Sequence, residues 1–189
     1  MQVHETGFAG LLVLEPRVFQ DERGFFLESY SRESFRKEGV DCEFVQDNHA
    51  YSRDVGVLRG FHFQLPPFAQ TKLVWVTRGA VLDAVVDLRI GSPTFGKWRH
   101  VILSAANFKR MFIPKGFGHA YVTLMPDTEF QYKVDAPYAP DHDAGIAWDD
   151  PDVAMDWQAA LGDRQPILSE KDRRLVRLRD FQSPFVFEE

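Results

Sequence analysis

Apolar, β-branched and aromatic residues in this chain come in short runs, and turn-forming residues separate one run from the next. The runs that read as strands are residues 25–30, 73–77, 80–88, 99–103, 111–113, 120–124 and 129–134. Glycine, proline and polar residues between them mark turns at residues 91–93, 114–116 and 125–127. Many short strands at this spacing predict a sandwich or a barrel rather than alternating strands and helices. The fold class is therefore predicted to be all-β.

Helices are predicted to be few, short and peripheral. Ser31 is placed to cap a two-turn helix that ends before Gly39. Residues 169–172 have the form of a capping box that opens a last short helix. A length of 189 residues, with no linker, repeat or low-complexity segment, predicts one domain over residues 1–189.

Charge and composition exclude several partners and compartments. The formal net charge is −6, which argues against a nucleic-acid polymer or an anionic membrane as partner. The single cysteine, Cys42, allows neither an internal disulfide nor a thiolate metal cage. No apolar run approaches the ~20 residues that a bilayer requires, and the first residues do not resemble a signal peptide. We therefore expect a cytoplasmic protein.

Residues 57–64 form the first motif, because they carry a histidine on a predicted strand. Alternation along a strand puts His62 and Gln64 on one face, and Phe61 and Phe63 on the other. A histidine that projects into an aromatic interior is suited to act as a general base, since its ordinary pKa is near 6.5. The alternative is a core histidine that is satisfied by a backbone carbonyl.

The same alternation puts Arg59 on the face opposite to His62. If both side chains serve one site, Gly60 must bend or bulge the strand between them.

Residues 114–119 form a second motif, P-x-G-x-x-H, which resembles the second motif of the cupin superfamily. The histidine of that motif, here His119, is often a metal ligand in cupins, and the alternative is a turn residue. The first cupin motif requires H-x-H, where this chain has His62, Phe63 and Gln64. A glutamine replaces an imidazole poorly as a ligand, so we predict a cupin barrel without metal. A metal-dependent cupin, an isomerase or a dioxygenase, is the alternative.

Three further residues have both a functional and a structural interpretation. Tyr132 shares a face with Phe130 and Val134, and it can donate a proton or belong to the core. Arg23, which precedes aromatic residues, suits a phosphate and a stacked base, or lies in a solvated turn. Asp172 can complete the capping box, and it can serve a second role only if its two oxygens divide the work.

Strings of residues in family order resemble the dTDP-4-dehydrorhamnose 3,5-epimerase family over nearly the whole chain. They include V-L-R-G-F-H-F-Q, I-P-K-G-F-G-H-A and P-I-L-S-E-K-D, and they begin at residues 19, 44, 57, 70, 86, 113, 129, 148 and 166. The resemblance implies a cupin-type jelly-roll barrel that works as a homodimer without a cofactor. The implied activity inverts carbons 3 and 5 of dTDP-4-dehydro-6-deoxyglucose, giving dTDP-4-dehydrorhamnose.

The resemblance also implies roles for individual residues. His62 would be the base, Asp172 its orienting carboxylate, and Tyr132 the acid on the opposite face of the sugar. Substrate binding would involve Arg59, Lys72 and His119 near the sugar; Arg23, Glu28, Gln46, Asp47 and Asn48 at the nucleotide; Phe19, Phe26 and Tyr138 as stacking surfaces; and Asp143 and Lys171. The chain departs from the usual family pattern at Phe61, Tyr121 and Asp143, and these departures bear on the specificity for sugar and nucleotide.

Two other functions remain open from the sequence. The first is an epimerase that acts at carbon 3 only, or on another nucleotide-linked 4-keto sugar, with the same catalytic residues. The second is a non-catalytic cupin that binds sugar nucleotides and needs neither a base nor an acid.

Overall fold

The computed structural model describes residues 1–188, and strands dominate it. The strands are β1 (Gln2–Glu5), β2 (Leu12–Glu15), β3 (Val18–Asp21), β4 (Gly24–Leu27), β5 (Gln46–Ser52), β6 (Leu58–Gln64), β7 (Lys72–Arg78), β8 (Ala80–Asp87), β9 (Trp98–Ser104), β10 (Arg110–Ile113), β11 (Phe117–Thr123), β12 (Thr128–Val134) and β13 (Asp143–Gly145). The helices are α1 (Arg32–Lys37), α2 (Gln158–Leu161) and short 3₁₀ turns at Pro140–His142, Asp172–Arg174 and Leu178–Asp180. Within residues 1–188 we find no helix with the length and apolar content that crossing a bilayer demands.

Two antiparallel sheets account for most of the strands. The first has six strands in the order β1-β2-β10-β7-β12-β5, and the second has five in the order β13-β6-β11-β8-β9. Neighbours in each sheet are mostly far apart in sequence, as in a jelly roll. A separate two-stranded hairpin, β3-β4, lies outside both sheets. The prediction of an all-β, cupin-type fold is confirmed.

Apolar side chains fill three layers. Between the sheets, Val74 of β7 and Met111 of β10 pack with Val85 of β8. The outer face of the five-stranded sheet is covered by the C-terminal segment, which brings Trp157 against Phe61, with ring centroids 5.9 Å apart. Strand β8 is consequently buried along its whole length, because both faces of its sheet are covered.

The outer face of the six-stranded sheet is covered in part by α1. Ser31 caps this helix as predicted, since its hydroxyl accepts a hydrogen bond from the Ser34 amide at 3.3 Å. The helix buries Phe35 against Leu14 and Leu73. The strands predicted from β7 to β12 are also found, with ends shifted by up to three residues.

Two predicted elements are shorter in the structure, and several strands, β5 among them, were not predicted. The run 25–30 forms a strand only to Leu27, and β5 was not predicted because its residues are largely polar. The capping box at Ser169 opens only a 3₁₀ turn, since Leu175 already has an extended backbone. His119 lies within β11 rather than in a turn.

Strand β6 carries the bulge that its alternation required. Against β11, His62 pairs with His119 and Arg59 pairs with Tyr121, so β6 holds one residue more than β11 between these pairs. Gly60 adopts φ +121°, and a Cβ there would collide with the His119 carbonyl oxygen and with Ala120. The bulge brings Arg59 and His62 to one cavity.

Candidate active site

A cavity of about 220 Å³, here called the central cavity, lies between the two sheets. The five-stranded sheet and its loops contribute Arg59, His62, Gln64, His119, Tyr121 and Asp143, and the six-stranded sheet contributes Ala50, Lys72, Phe130 and Tyr132. Gln70, Tyr138 and Lys171 complete the polar part of its wall. Nearly all of the polar residues predicted to act on the sugar therefore share one space.

His62 forms an ion-pair contact with Asp172, with Nε2 2.7 Å from Oδ1. The distance is short, although the angle departs from that of a good hydrogen bond. The His62 side chain remains 27% exposed, whereas that of Asp172 is only 3% exposed. The carboxylate is thus buried behind a ring that still reaches the cavity.

The two oxygens of Asp172 have different partners, as the sequence required for a double role. Oδ1 faces His62 and accepts from the Gly60 amide at 3.2 Å, while Oδ2 accepts from the Ser169 hydroxyl at 2.5 Å. Burial by itself would raise the pKa of Asp172, but the close contact with His62, the hydrogen bond from Ser169, the charge of His62 and the Gly60 amide lower it to about 2. Asp172 is therefore an anion at neutral pH.

A second histidine–carboxylate pair lies on neighbouring strands. Nε2 of His119 is 3.0 and 2.9 Å from the two oxygens of Asp83. Here the side chains are 9% and 0% exposed. Burial raises the pKa of Asp83, and the neighbouring His119 only partly opposes that shift.

Lys72 brings a positive charge into the cavity. Its Nζ donates to the Gln70 amide oxygen at 3.3 Å and lies 5.4 Å from the centre of the Tyr132 ring. Burial lowers the pKa of Lys72 to about 8, with the charge of Asp143 opposing that shift and the charge of Lys171 adding to it. Most of the Lys72 side chains therefore carry a proton at neutral pH.

Tyr132 faces the cavity from the sheet opposite to His62. Burial raises the pKa of its phenol, the charge of Arg59 opposes this, and Asp143 and Tyr138 reinforce it. The phenol is consequently protonated throughout the neutral range and able to donate.

Asp143 connects two other residues at the mouth of the cavity. It accepts a hydrogen bond from the Tyr138 hydroxyl at 3.1 Å and pairs closely with Lys171. The Tyr138 amide in turn donates to the Gln46 side chain at 3.1 Å, and Gln46 donates to Asn48 at 2.9 Å. Asp143, Tyr138 and Lys171 line the cavity, whereas Gln46 and Asn48 are not part of its lining.

Five residues predicted to bind the nucleotide lie elsewhere. Asp47 points to the outer face of its sheet, where it pairs with Lys133 at 2.8 Å. Arg23 pairs with Asp21 at the tip of the β3-β4 hairpin. Phe19, Phe26 and Glu28 are on or next to this hairpin, and none of them lines the central cavity of residues 1–188.

The side chains at the cupin metal position are committed to other partners. Gln64 donates to the carbonyl oxygens of Phe68 at 2.7 Å and Pro137 at 3.2 Å, and it accepts from the Ala139 amide at 2.8 Å. His119 is held by Asp83. Across the described part of the chain, no group of three or more His, Cys, Asp or Glu side chains is arranged to hold a metal ion. This donor set does not fit a cupin metal.

Sequence reasoning missed Asp83 as a site residue. The only signal was a charged residue within the apolar run of β8, where alternation puts it on the same face as Val81 and Val85. An aspartate buried on a core face needs a partner, and that requirement points to a histidine or an arginine on a neighbouring strand.

Comparison with known proteins adds the family. The family model for dTDP-4-dehydrorhamnose 3,5-epimerase matches residues 5–180. A dTDP-4-dehydrorhamnose 3,5-epimerase of Escherichia coli is 49% identical to this chain over 179 residues, which is 94% of this chain and 95% of that protein.

Solved structures share the fold over the same extent. The dTDP-6-deoxy-D-glucose-3,5-epimerase of Legionella pneumophila, in complex with dTDP-4-keto-L-rhamnose, superposes with a TM-score of 0.93 at 39% identity, covering 100% of this chain and 99% of that one. A 3'-monoepimerase of Streptomyces bikiniensis, in complex with dTDP-quinovose, gives a TM-score of 0.85 at 36% identity, covering 93% of this chain and 87% of that one.

Proposed function

This chain belongs to the dTDP-4-dehydrorhamnose 3,5-epimerase family, and from this premise we propose that it inverts carbons 3 and 5 of dTDP-4-dehydro-6-deoxyglucose, with His62 as base and Tyr132 as acid. The observation that carries the proposal is that these two side chains reach the central cavity from opposite sheets. Inversion requires a proton to leave one face of a carbon and another to arrive on the other face. An acid on the same face as the base would only restore the starting sugar.

Removing the proton next to the ketone is the energetic problem that the site must solve. Such a proton is about a dozen pK units less acidic than imidazolium, which corresponds to roughly 16 kcal/mol at ~1.36 kcal/mol per unit. A base alone does not overcome this difference, so the enolate oxygen must meet a preorganised positive charge. Lys72 and Arg59 both line the cavity and are positioned to supply it.

Asp172 has a supporting role in the proposal. Its anionic state and its contact with Nε2 of His62 fix the tautomer of the ring and stabilise the imidazolium that forms. Nδ1 of His62 is then the nitrogen that accepts the carbon-bound proton. Tyr132 returns a proton to the opposite face, and because only protons are exchanged, the reaction requires no redox cofactor.

The proposed nucleotide contacts need a second copy of the chain. Phe19, Arg23, Phe26 and Glu28 are separate from the central cavity of their own chain, and two aromatic side chains on the β3-β4 hairpin, Phe19 and Phe26, are 50% and 71% exposed. Exposed aromatic groups beside an arginine suit a base and a phosphate. In the homodimer that we propose, the hairpin of one protomer completes the nucleotide site of its partner.

Proton NMR of dTDP-4-dehydro-6-deoxyglucose with the protein in deuterium oxide tests the proposal. We expect deuterium to enter at both carbon 3 and carbon 5, together with the signals of dTDP-4-dehydrorhamnose. Binding of the substrate without any deuterium uptake would overturn the proposal and leave a sugar-nucleotide-binding protein.

Epimerisation at carbon 3 alone is the second candidate. It is favoured by one observation, the similarity to a 3'-monoepimerase of Streptomyces bikiniensis. Deuterium at carbon 3 but not at carbon 5 in the same experiment would support it, and exchange with another nucleotide-linked sugar but not with the dTDP sugar would reassign the nucleotide.

A further inference from the structure

Arg110 is a buried charge without a counterion. It is 3% exposed, and its Nε and Nη1 atoms are inaccessible to solvent and have no hydrogen-bond partner among residues 1–188. Its guanidinium lies 4.8 Å from the centre of the Trp75 ring. The neighbouring cation, Lys109, differs from it, since Lys109 is paired with Glu15 at 2.8 Å.

The other fully buried Asp and Arg side chains in residues 1–188 are satisfied, whereas Lys72, whose only hydrogen bond is to Gln70, is only partly buried. Arg89 donates to both oxygens of Asp87, at 2.9 and 2.8 Å. Asp150 accepts from three backbone amides, at 2.8, 3.0 and 2.7 Å. Asp83 and Asp172 have the histidines already described. Within this part of the chain, Arg110 is thus the exception to the rule that buried charges are paired.

Arg110 borders a cavity of about 400 Å³ between the β3-β4 hairpin and the outer face of the six-stranded sheet, here called the hairpin cavity. Its walls comprise Phe25, Phe26, Leu27, Ser29, Trp75, Val76, Thr77, Ala105, Phe108, Arg110 and Gln131. Phe25 and Phe108 meet edge to face with ring centroids 4.8 Å apart, which anchors the hairpin at one side. No acidic side chain of the described residues lines this cavity.

Apolar walls with one convergent charged group are characteristic of a ligand pocket. Thr77 and Ser29 provide hydroxyls nearby, and the Gln131 amide already donates to Thr77 at 3.2 Å. A single guanidinium neutralises one negative charge, and since Nε and Nη1 are sealed from solvent, Nη2 is the nitrogen left to donate to a carboxylate oxygen in the cavity. A phosphate dianion would need a second cation, which the cavity walls do not contain.

We propose that the hairpin cavity is a carboxylate-binding site in which Arg110 is the charged anchor and Phe25, Trp75 and Phe108 hold an apolar body. Two sources provide this chemistry, a free carboxylic acid with an aromatic or aliphatic body, and an acidic side chain of a second copy of the chain. Burial lowers the pKa of Arg110 to about 10, which leaves the guanidinium charged at neutral pH. The site is separate from the central cavity, and it shares only Phe26 with the nucleotide contacts proposed above.

The free-acid source is tested with 2-naphthoate, and with 2-naphthalenemethanol as a neutral probe of similar shape. Calorimetric titration of the wild type should give at least about tenfold tighter binding of the naphthoate. Arg110→Met should abolish this preference, because methionine retains an apolar stem but no charge. Lys109→Met is the matched control, since it removes the adjacent charge outside the cavity and should keep the preference.

The second-copy source is tested by sedimentation velocity on the same proteins. If an acidic side chain of the partner occupies the site, Arg110→Met should weaken self-association at least about tenfold, Lys109→Met should not, and Arg110→Lys should restore most of it. Either result supports a carboxylate on Arg110 and identifies its source. The proposal is overturned if Arg110→Met binds naphthoate and self-associates like the wild type. Should that variant fail to fold, Arg110→Gln replaces it in both experiments with the same expected results.

Discussion

Two histidine–carboxylate pairs lie beside one cavity, and they differ in how their carboxylates are satisfied. Asp172 receives hydrogen bonds from Ser169 and the Gly60 amide in addition to its contact with His62, and its pKa falls to about 2. Asp83 has only His119 among the described residues, and burial raises its pKa. The pKa values of the two carboxyl groups are therefore shifted in opposite directions from the same ordinary value.

The opposite pKa shifts show how one fold can give different roles to two similar histidine–carboxylate pairs. Burial opposes the charged form of both carboxylates, and the hydrogen bonds that each carboxylate accepts decide the direction in which its pKa moves. The pair whose carboxylate has the lowered pKa also has the more exposed ring, 27% for His62 against 9% for His119. We therefore interpret His62–Asp172 as the pair for proton transfer and His119–Asp83 as the pair that shapes the cavity.

The same substitution in both histidines should separate the two pairs most strongly. His62→Asn should lower kcat about 10²–10⁴-fold, the usual contribution of a general base. His119→Asn should lower kcat less than about tenfold, but should destabilise the fold by roughly 1–3 kcal/mol because Asp83 loses its partner. Turnover followed by NMR and thermal unfolding of both variants measure these effects. More than a tenth of the wild-type rate in His62→Asn would remove His62 from the role of base.

Replacing the proposed acid tests the other side of the cavity. Tyr132→Phe should still exchange the sugar protons with deuterium oxide, because the base remains, while the yield of inverted product falls by about 10–100-fold. Tyr121→Phe is the matched control, since it removes a phenol from the same cavity but keeps the ring that stacks on Phe130 at 4.2 Å. Unchanged product stereochemistry in Tyr132→Phe would contradict its role.

Lys72, which lines the central cavity together with His62, should set the alkaline limit of activity. The pKa of Lys72 is lowered to about 8, so the ammonium that we propose to stabilise the enolate is present below that pH and lost above it. We expect kcat/KM to fall roughly tenfold per pH unit above about pH 8. Lys72→Arg should move this limb upward, because guanidinium holds its proton to much higher pH. A limb at the same pH in wild type and variant would exclude Lys72 as its origin.

The smallest effect should be on the pH dependence of the unfolding free energy in acid. Asp172 and Asp83 should contribute to this pH dependence with opposite signs. The lowered pKa of Asp172 means that its contribution, roughly 2 kcal/mol, is present above about pH 4 and disappears as the pH falls toward 2. Asp172→Asn should remove this part of the acid-induced loss of unfolding free energy. The raised pKa of Asp83 acts in the opposite sense, because its stabilising contribution falls as the pH rises above the ordinary pKa.

Chemical denaturation of Asp172→Asn, Asp83→Asn and the wild type at pH values from 2 to 7 measures both slopes. Equal pH dependence in the two variants would remove the physical basis for treating the pairs differently.

Local pattern was sufficient for much of the site. Alternation along β6 correctly put His62 and Gln64 on one face, and Phe61 and Phe63 on the other, which the structure packs against the C-terminal segment. The capping pattern at Ser169 located the turn that holds Asp172, although the turn is shorter than predicted. These features depend on neighbouring residues in the chain, and periodicity and capping describe such neighbours well.

Other features depended on which strands become neighbours. The pairing of His119 with Asp83 follows from the adjacency of β11 and β8, and no periodicity within either strand contains it. The residues around Arg23 that were predicted to bind the nucleotide are separate from the central cavity, because the hairpin that carries them joins neither sheet.

The order of residues along the chain was enough to predict the strands from β7 to β12, the faces of the β6 side chains and the family to which the chain belongs. Each of these is a property of neighbouring residues or of motifs in order. Three features became visible in the assembled fold. A bulge at Gly60 brings Arg59 and His62 to one cavity, and Asp172 contacts His62 and the Gly60 amide from more than a hundred residues away. Arg110 is buried without a counterion. The physical reason is that burial and charge balance are properties of the assembled sheets, which bring together residues that no local pattern relates.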